Sequence, residues 1–215
     1  KSYKLTYFKA RGRGEFIRLV FLIAGVEFED HQVDFHEEWP SLKASNKNPF
    51  HGGGIWIILE PHNVFKVIHG ITPVYIWLMF IGLAPETNLE KAFADMVVDA
   101  VMDIRAKARK CRFETDAALK EKFVKEFQES LPTDLKNLEK VLEGNEGGKG
   151  YFVGKKLSYA DISFFNFMNS WIAKDKINGY PDELKEFPLL QGLYERVRDI
   201  PVVKTRLKTR PDTVL

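Results

Sequence analysis

The sequence predicts a small α/β domain followed by an all-helical one. Three observations predict it. The chain opens as strand, helix, strand; two short apolar runs then flank a turn; and after about residue 85 the apolar residues recur at helical spacing. The stretch Lys4-Leu5-Thr6-Tyr7-Phe8-Lys9-Ala10-Arg11-Gly12-Arg13-Gly14-Glu15 organises the rest. β-formers at Tyr3, Thr6, Tyr7 and Phe8 make the strand. A basic, Gly-containing loop follows, and the mostly apolar run from Phe16 to Ala24 makes a helix that Gly25 stops. Tyr7 thus ends a strand beside a helix N-terminus, where unpaired N–H groups favour negative charge. Its O–H can donate to an anion held there; the plainer reading is a packed core aromatic.

Val26 to Phe35 suits a second strand, and a strand–helix–strand unit of this length implies a parallel pair. Glu37-Glu38-Trp39-Pro40-Ser41-Leu42-Lys43 is a loop or short helix carrying a large aromatic and a cation. Ile55 to Leu59 and Val64 to Ile68 read as a hairpin around Glu60-Pro61-His62-Asn63. A βαβ unit followed by a hairpin is the outline of a thioredoxin-like domain. We place that domain at 1–83 and the all-helical C-terminal domain at 84–215.

In the second domain, Thr87-Asn88-Leu89-Glu90 is a capping box, in which hydroxyl and carboxylate satisfy each other's backbone N–H groups. Behind it Leu89, Phe93, Met96, Val97, Ala100, Val101 and Ile104 recur at helical spacing. Thr115 to Leu142 is a second long helix with Leu119, Phe123, Phe127, Leu131, Leu135, Leu138 and Leu142 as its apolar stripe; Pro132 should kink or break it. The Gly-rich run from Gly144 to Gly150 reads as a helix connection, since it lacks the Lys-Ser/Thr of a phosphate-binding loop. Ser158-Tyr159-Ala160-Asp161 caps a third helix, and Pro188 and Pro201 open two more.

Composition narrows the function classes. The 215 residues are 45% hydrophobic and 29% charged, ordinary for a globular protein. The net charge is +2 with dispersed basic residues, so nothing argues for a nucleic-acid footprint. Cys111 is the one cysteine, which leaves no disulfide framework and suits a reducing compartment. The five histidines have no helix-spaced pair of the kind a zinc site uses. The first residues carry no apolar signal-peptide core, so the expectation is a cytoplasmic protein. The run from Val67 to Ala84 has no charged residue and could be read as membrane-spanning, but Gly70, Pro73 and Gly82 interrupt it.

Together these motifs resemble the sigma-class cytosolic glutathione transferases, the group of haematopoietic prostaglandin D synthase and the lens S-crystallins. The resemblance is carried by Tyr7-Phe8 with Gly12-Arg13, the Trp39-Pro40-Ser41-Leu42-Lys43 loop, and Val98-Asp99-Ala100-Val101-Met102-Asp103. It continues through Phe152-Val153-Gly154, Leu157 to Asp161, Arg198-Asp199-Ile200-Pro201 and Lys208 to Pro211, covering nearly the whole chain. It implies the glutathione transferase fold, glutathione as co-substrate, an electrophilic or lipid-derived second substrate, and a homodimer. It implies that Tyr7 hydrogen-bonds the glutathione sulfur, that Arg13 stabilises charge near it, and that Trp39 and Lys43 hold the glycine end. The second substrate would sit between the Arg13 loop and the helix bearing Arg105 and Arg109. No metal is implied, because the acidic cluster that binds magnesium in some prostaglandin-forming relatives is reduced to Asp103. Ser158 and Asp161 match a folding motif of the family and are assigned to capping.

Three features depart from the family. The cis-proline expected after Phe50 is missing, and the Gln-Ser pair that binds the γ-glutamyl carboxylate is replaced by His69-Gly70. Lys107 stands where relatives place an acid reaching across the dimer. The first two fit a shifted reading frame or altered exon boundary over about 51–81, with the pattern restored at Gly82. Reading the coding DNA in its other frames tests this, since absent Pro-Val and Gln-Ser motifs would exclude it. The alternative function is a non-enzymatic, S-crystallin-like structural or binding protein.

Overall fold

A computed structural model describes residues 3–12, 14–44, 58–59, 66–67, 81–173 and 181–210, with the backbone alone at 43, 58–59 and 66–67. The chain forms two compact units, Lys1–Ala84 with Thr205–Leu215, and Pro85–Lys204.

In the first unit β1 (Tyr3–Phe8) and β2 (Phe28–Val33) pair in parallel, from Tyr3↔Phe28 to Phe8↔Val33. Helix α1 (Gly14–Ile23) joins them. Its residues from Gly14 to Phe21 are all buried, so the mostly apolar run of the sequence is a helix covered on every side. Leu5, Phe16, Leu19, Val20 and Val33 form the core, and Phe21 stacks on Phe28 with ring centroids 4.8 Å apart. Helix α2 (Trp39–Ala44) follows β2. Strands β3 (Ile58–Leu59) and β4 (Lys66–Val67) pair antiparallel, with Ile58 opposite Val67; the turn expected between them lies outside the described residues. The positions of the missing proline and of His69-Gly70, and most of the 67–84 apolar run, lie outside the described residues. Among the described residues no helix is long and apolar enough to cross a membrane.

The second unit is helical. Helix α3 (Asn88–Phe113) starts at the expected capping box: Thr87 Oγ1 accepts the Glu90 N–H at 3.2 Å and Glu90 accepts the Thr87 N–H at 2.9 Å. Its buried face is Ala94, Val97, Val98, Val101, Ile104 and Ala108. Leu89, Phe93 and Met96, expected in the apolar stripe, lie instead on an exposed face. Periodicity identifies a face; it does not say which of two apolar faces the fold covers.

Helix α4 (Ala117–Glu143) is capped by Asp116 and buries Leu131, Leu135, Leu138 and Leu142. Leu119, expected in that stripe, is also exposed. The helix is not broken at Pro132, contrary to that side of the sequence expectation. A proline inside a helix costs ~3 kcal/mol or more. Four buried leucines around it contribute roughly 1.5–3 kcal/mol each, and packing outweighs the local preference.

Helix α5 (Tyr159–Phe167) is buried along its whole length and continues into a π-turn at Met168–Ile172. In the helix and the turn that follows, the Ser170 hydroxyl donates to Asn166 Oδ1, and the Asn169 amide donates to the Tyr194 hydroxyl at 2.8 Å. Helices α6 (Pro188–Arg198) and α7 (Pro201–Thr209) each begin at the expected proline, and from Thr205 onward α7 belongs to the first unit.

Candidate functional site

The end of β1 and the start of α1 form the site. Gly12 has φ of +41°, a backbone that L side chains rarely adopt, and a Cβ there would collide with the Tyr7 hydroxyl. A Cβ on Gly14 would come within 2.5 Å of the Tyr7 ring. Both glycines are therefore required for the loop to lie against Tyr7. The ring is buried, and its hydroxyl sits beside the turn that opens α1. The guanidinium of Arg18 lies 5.8 Å from the ring centroid.

Trp39 is brought back to the same strand end by a turn that Asp34 builds. The Asp34 carboxylate accepts the N–H groups of His36 and Glu37 at 2.8 and 2.9 Å, and Trp39 N–H donates to the Asp34 carbonyl. The Glu37 N–H first, then that of His36, hold Asp34 below the ordinary carboxylate range. Trp39 packs edge-on to Phe8 at 5.2 Å between centroids, and Phe8 packs edge-on to Tyr7 at 5.7 Å. The structure thus joins Tyr7 and Trp39 through Phe8. Arg13 and the Lys43 side chain lie outside the described residues, although Lys43 is placed on α2.

Behind the loop is a buried ionic cluster that sequence reading missed. Glu15, in the first turn of α1, is wholly buried. Its carboxylate accepts Arg206 Nε at 3.1 Å and Arg206 Nη2 at 2.8 Å. Arg210 lies 3.5 Å from it and Arg18 lies 3.6 Å away. Arg18 also donates Nε to both Asp30 oxygens and Nη1 to the Ala10 carbonyl. Burial raises the Glu15 pKa, but the hydrogen bond and charge of Arg206, with Arg210 and Arg18, outweigh it and hold the carboxyl below its ordinary value. The signal available in the sequence was Arg18 itself, a charge inside an otherwise apolar helical run.

In the second unit, Arg105 and Arg112 of α3 both lie over the Trp171 ring, at 5.0 and 5.3 Å, while Arg109 lies over Phe113. Lys107 pairs with Asp134 of α4 at 2.6 Å. Cys111 donates its S–H to the Lys107 and Phe123 carbonyls, and burial raises its pKa, which argues against a reactive thiol. Asp103 is exposed, and among the described residues no group of three His, Cys, Asp or Glu could hold a metal.

Comparison with known proteins identifies the scaffold. The family model "Glutathione S-transferase, C-terminal domain" matches residues 102–210. Glutathione S-transferase 1 of Ascaris suum is 36% identical over 99% of this chain and 98% of its own length. Hematopoietic prostaglandin D synthase of Gallus gallus is 32% identical over 100% and 99%. The crystal structure of the glutathione S-transferase from Ascaris lumbricoides superposes with a TM-score of 0.81 at 34% identity, covering all of both chains. With its strand–helix–strand first unit, helical second unit and glycine-cradled Tyr7, the chain belongs to the glutathione S-transferase family.

Proposed function

We propose that this protein conjugates glutathione to electrophilic or lipid-derived substrates, with Tyr7 donating its O–H to the glutathione sulfur. A hydrogen bond to the charged form lowers the thiol pKa, and the thiolate is the nucleophile. In the transfer step a sulfur–carbon bond forms, the leaving group departs with its electron pair, and the thiol proton passes to solvent. The observation that carries the reading is the Tyr7 hydroxyl held beside the α1 N-terminus by two glycines it cannot spare. A helix N-terminus favours the same negative charge that the hydroxyl would stabilise.

Trp39 and Lys43 hold the glycine end of glutathione, and Arg13 stabilises charge near the sulfur; these roles rest on the motif resemblance. Residues 1–83 bind glutathione and 84–215 supply much of the pocket for the second substrate. The protein acts as a cytoplasmic homodimer. Supporting this, Leu89, Phe93 and Met96 follow one another along a single face of α3 at 69%, 47% and 45% exposure, an apolar row that a second copy would cover.

The S-crystallin-like scaffold is not favoured: near-full-length identity is to a named transferase, and the glycine cradle of Tyr7 is intact. Calorimetry with glutathione and a Tyr7→Phe variant test the proposal together. Losing one charge-assisted hydrogen bond costs about 1.5–3 kcal/mol, so kcat/KM should fall roughly 10- to 100-fold with folding unchanged. An unchanged rate in Tyr7→Phe refutes the role of Tyr7. Absence of glutathione binding by the folded wild type refutes the transferase reading.

A further inference from the structure

Glu15 lies at the centre of a buried ionic cluster. Among the described residues, the guanidiniums of Arg11, Arg18, Arg206 and Arg210 gather about the carboxylates of Glu15 and Asp30. Arg11, Arg18 and Arg210 are each less than a tenth exposed and Glu15 is fully buried. A bidentate Arg–carboxylate pair fixes geometry as well as charge.

The geometry runs in one short chain of contacts. Arg206, on α7, grips both oxygens of Glu15. Glu15 N–H in turn donates to the Arg11 carbonyl at 2.8 Å, closing the loop that contains Gly12 and Gly14. That loop is the surface against which the Tyr7 hydroxyl lies. Arg18 braces it from the other side by holding the Ala10 carbonyl and Asp30.

We infer that Glu15 and Arg206 are positioning residues for the reaction: the end of the chain, through Arg206, sets the α1 N-terminal turn against the Tyr7 hydroxyl and so sets the ionisation of bound glutathione. This rests on Tyr7 being the group that holds the thiolate. Neither Glu15 nor Arg206 need touch the substrate. A displacement of well under an ångström at the loop would lengthen the hydroxyl–sulfur hydrogen bond and raise the thiol pKa.

The test is the pH profile of kcat/KM for conjugation of glutathione with 1-chloro-2,4-dinitrobenzene, in which sulfur displaces chloride from the ring. Arg206→Met should move the acidic limb upward by about 0.5–1 pH unit, a three- to tenfold loss of thiolate at neutral pH. Glutathione affinity measured by calorimetry should change less than twofold. Arg206→Lys keeps the charge but not the fork, and should shift the limb in the same direction by less. It also serves if the Met variant does not fold. A limb that stays at the wild-type pH in a folded Arg206 variant overturns the inference. Tyr7→Phe in the same assay separates the two ideas. If Tyr7→Phe moves the limb and the Arg206 variants do not, only the positioning role fails; if Tyr7→Phe does not move it, the reading beneath fails.

Discussion

Two helices of this protein begin with the same capping box, one exposed and one buried, and the difference in their energetic worth can be worked from the structure. At α5 the Asp161 carboxylate accepts the Phe152 N–H at 2.8 Å on one oxygen, and the Ser158 N–H at 2.8 Å and hydroxyl at 2.9 Å on the other. Ser158 and Asp161 are both buried. In Asp161→Ala the hydroxyl can rotate to another acceptor, but two backbone N–H groups lose theirs away from water. At about 1–3 kcal/mol for each buried unsatisfied donor, the variant should lose roughly 4 kcal/mol. Set against a total stability of ~5–15 kcal/mol, that is a large fraction. In Glu90→Ala the freed Thr87 N–H is exposed and meets water, so the cost should be only a small part of this. Urea unfolding followed by circular dichroism measures both. With a slope of ~2 kcal/mol/M, Asp161→Ala should lower the midpoint by about 2 M. If Asp161→Ala costs no more than Glu90→Ala, burial is not what gives the motif its strength, and the reasoning fails.

Further outcomes are expected at other sites. Glu15→Gln breaks a buried ion pair and should cost about 3–5 kcal/mol at neutral pH. Because the folded pKa of Glu15 is lowered, that stability is fully present above the ordinary glutamate value and lost as pH falls through the folded one. The gap between wild type and Glu15→Gln should therefore begin to narrow in unfolding curves only below the ordinary glutamate value, and go on narrowing as pH falls further. On the exposed row of α3, Phe93→Glu combined with Met96→Lys should convert the proposed dimer to a folded monomer by light scattering, since neither side chain is in the core; a dimer that persists places the subunit contact elsewhere.

Much of the fold was legible because local signals and tertiary packing agree. Both capping boxes, the prolines that open α6 and α7, and the parallel pairing of β1 with β2 follow from short-range chemistry. The failures lie where tertiary context overrides the pattern. Leu89, Phe93 and Met96 satisfy helical spacing as well as the buried residues do, yet the covered face is set by the sides on which α4 and α5 pack. Pro132 is tolerated because the leucines around it are buried by the fold. At the site, Tyr7 and Trp39 were readable as an aromatic beside a helix start and an aromatic in a loop; that Phe8 links them was not. The partners of Glu15 stand 191 and 195 residues away at the other end of the chain, and no spacing rule reaches so far.

Glu15 and Asp161 look alike in the sequence, yet their carboxyl pKa values shift in opposite directions in the fold. Each is an acid in the first turn of a helix, and the dipole argument treats them alike. Both are buried, and burial alone pushes a carboxyl pKa up. For Asp161 burial prevails, because its partners are the N–H groups of Phe152 and Ser158 and one hydroxyl, dipoles without net charge; its pKa is pushed up to about 6. For Glu15 the partners are guanidiniums, and the shift is downward. The stability each contributes therefore runs oppositely with pH. Between about pH 4 and 6 the folded state holds a proton on Asp161 that the unfolded chain releases, so its contribution falls as pH rises through that window. Above the ordinary glutamate value the contribution of Glu15 is fully present, and it is lost only as pH falls through its lowered folded value. A protein whose two buried helix-start acids were both capped by N–H groups would lose stability at both as pH rose toward 6; here only Asp161 does, because Arg206 and Arg210 return to α1 and keep Glu15 ionised at lower pH than an ordinary glutamate.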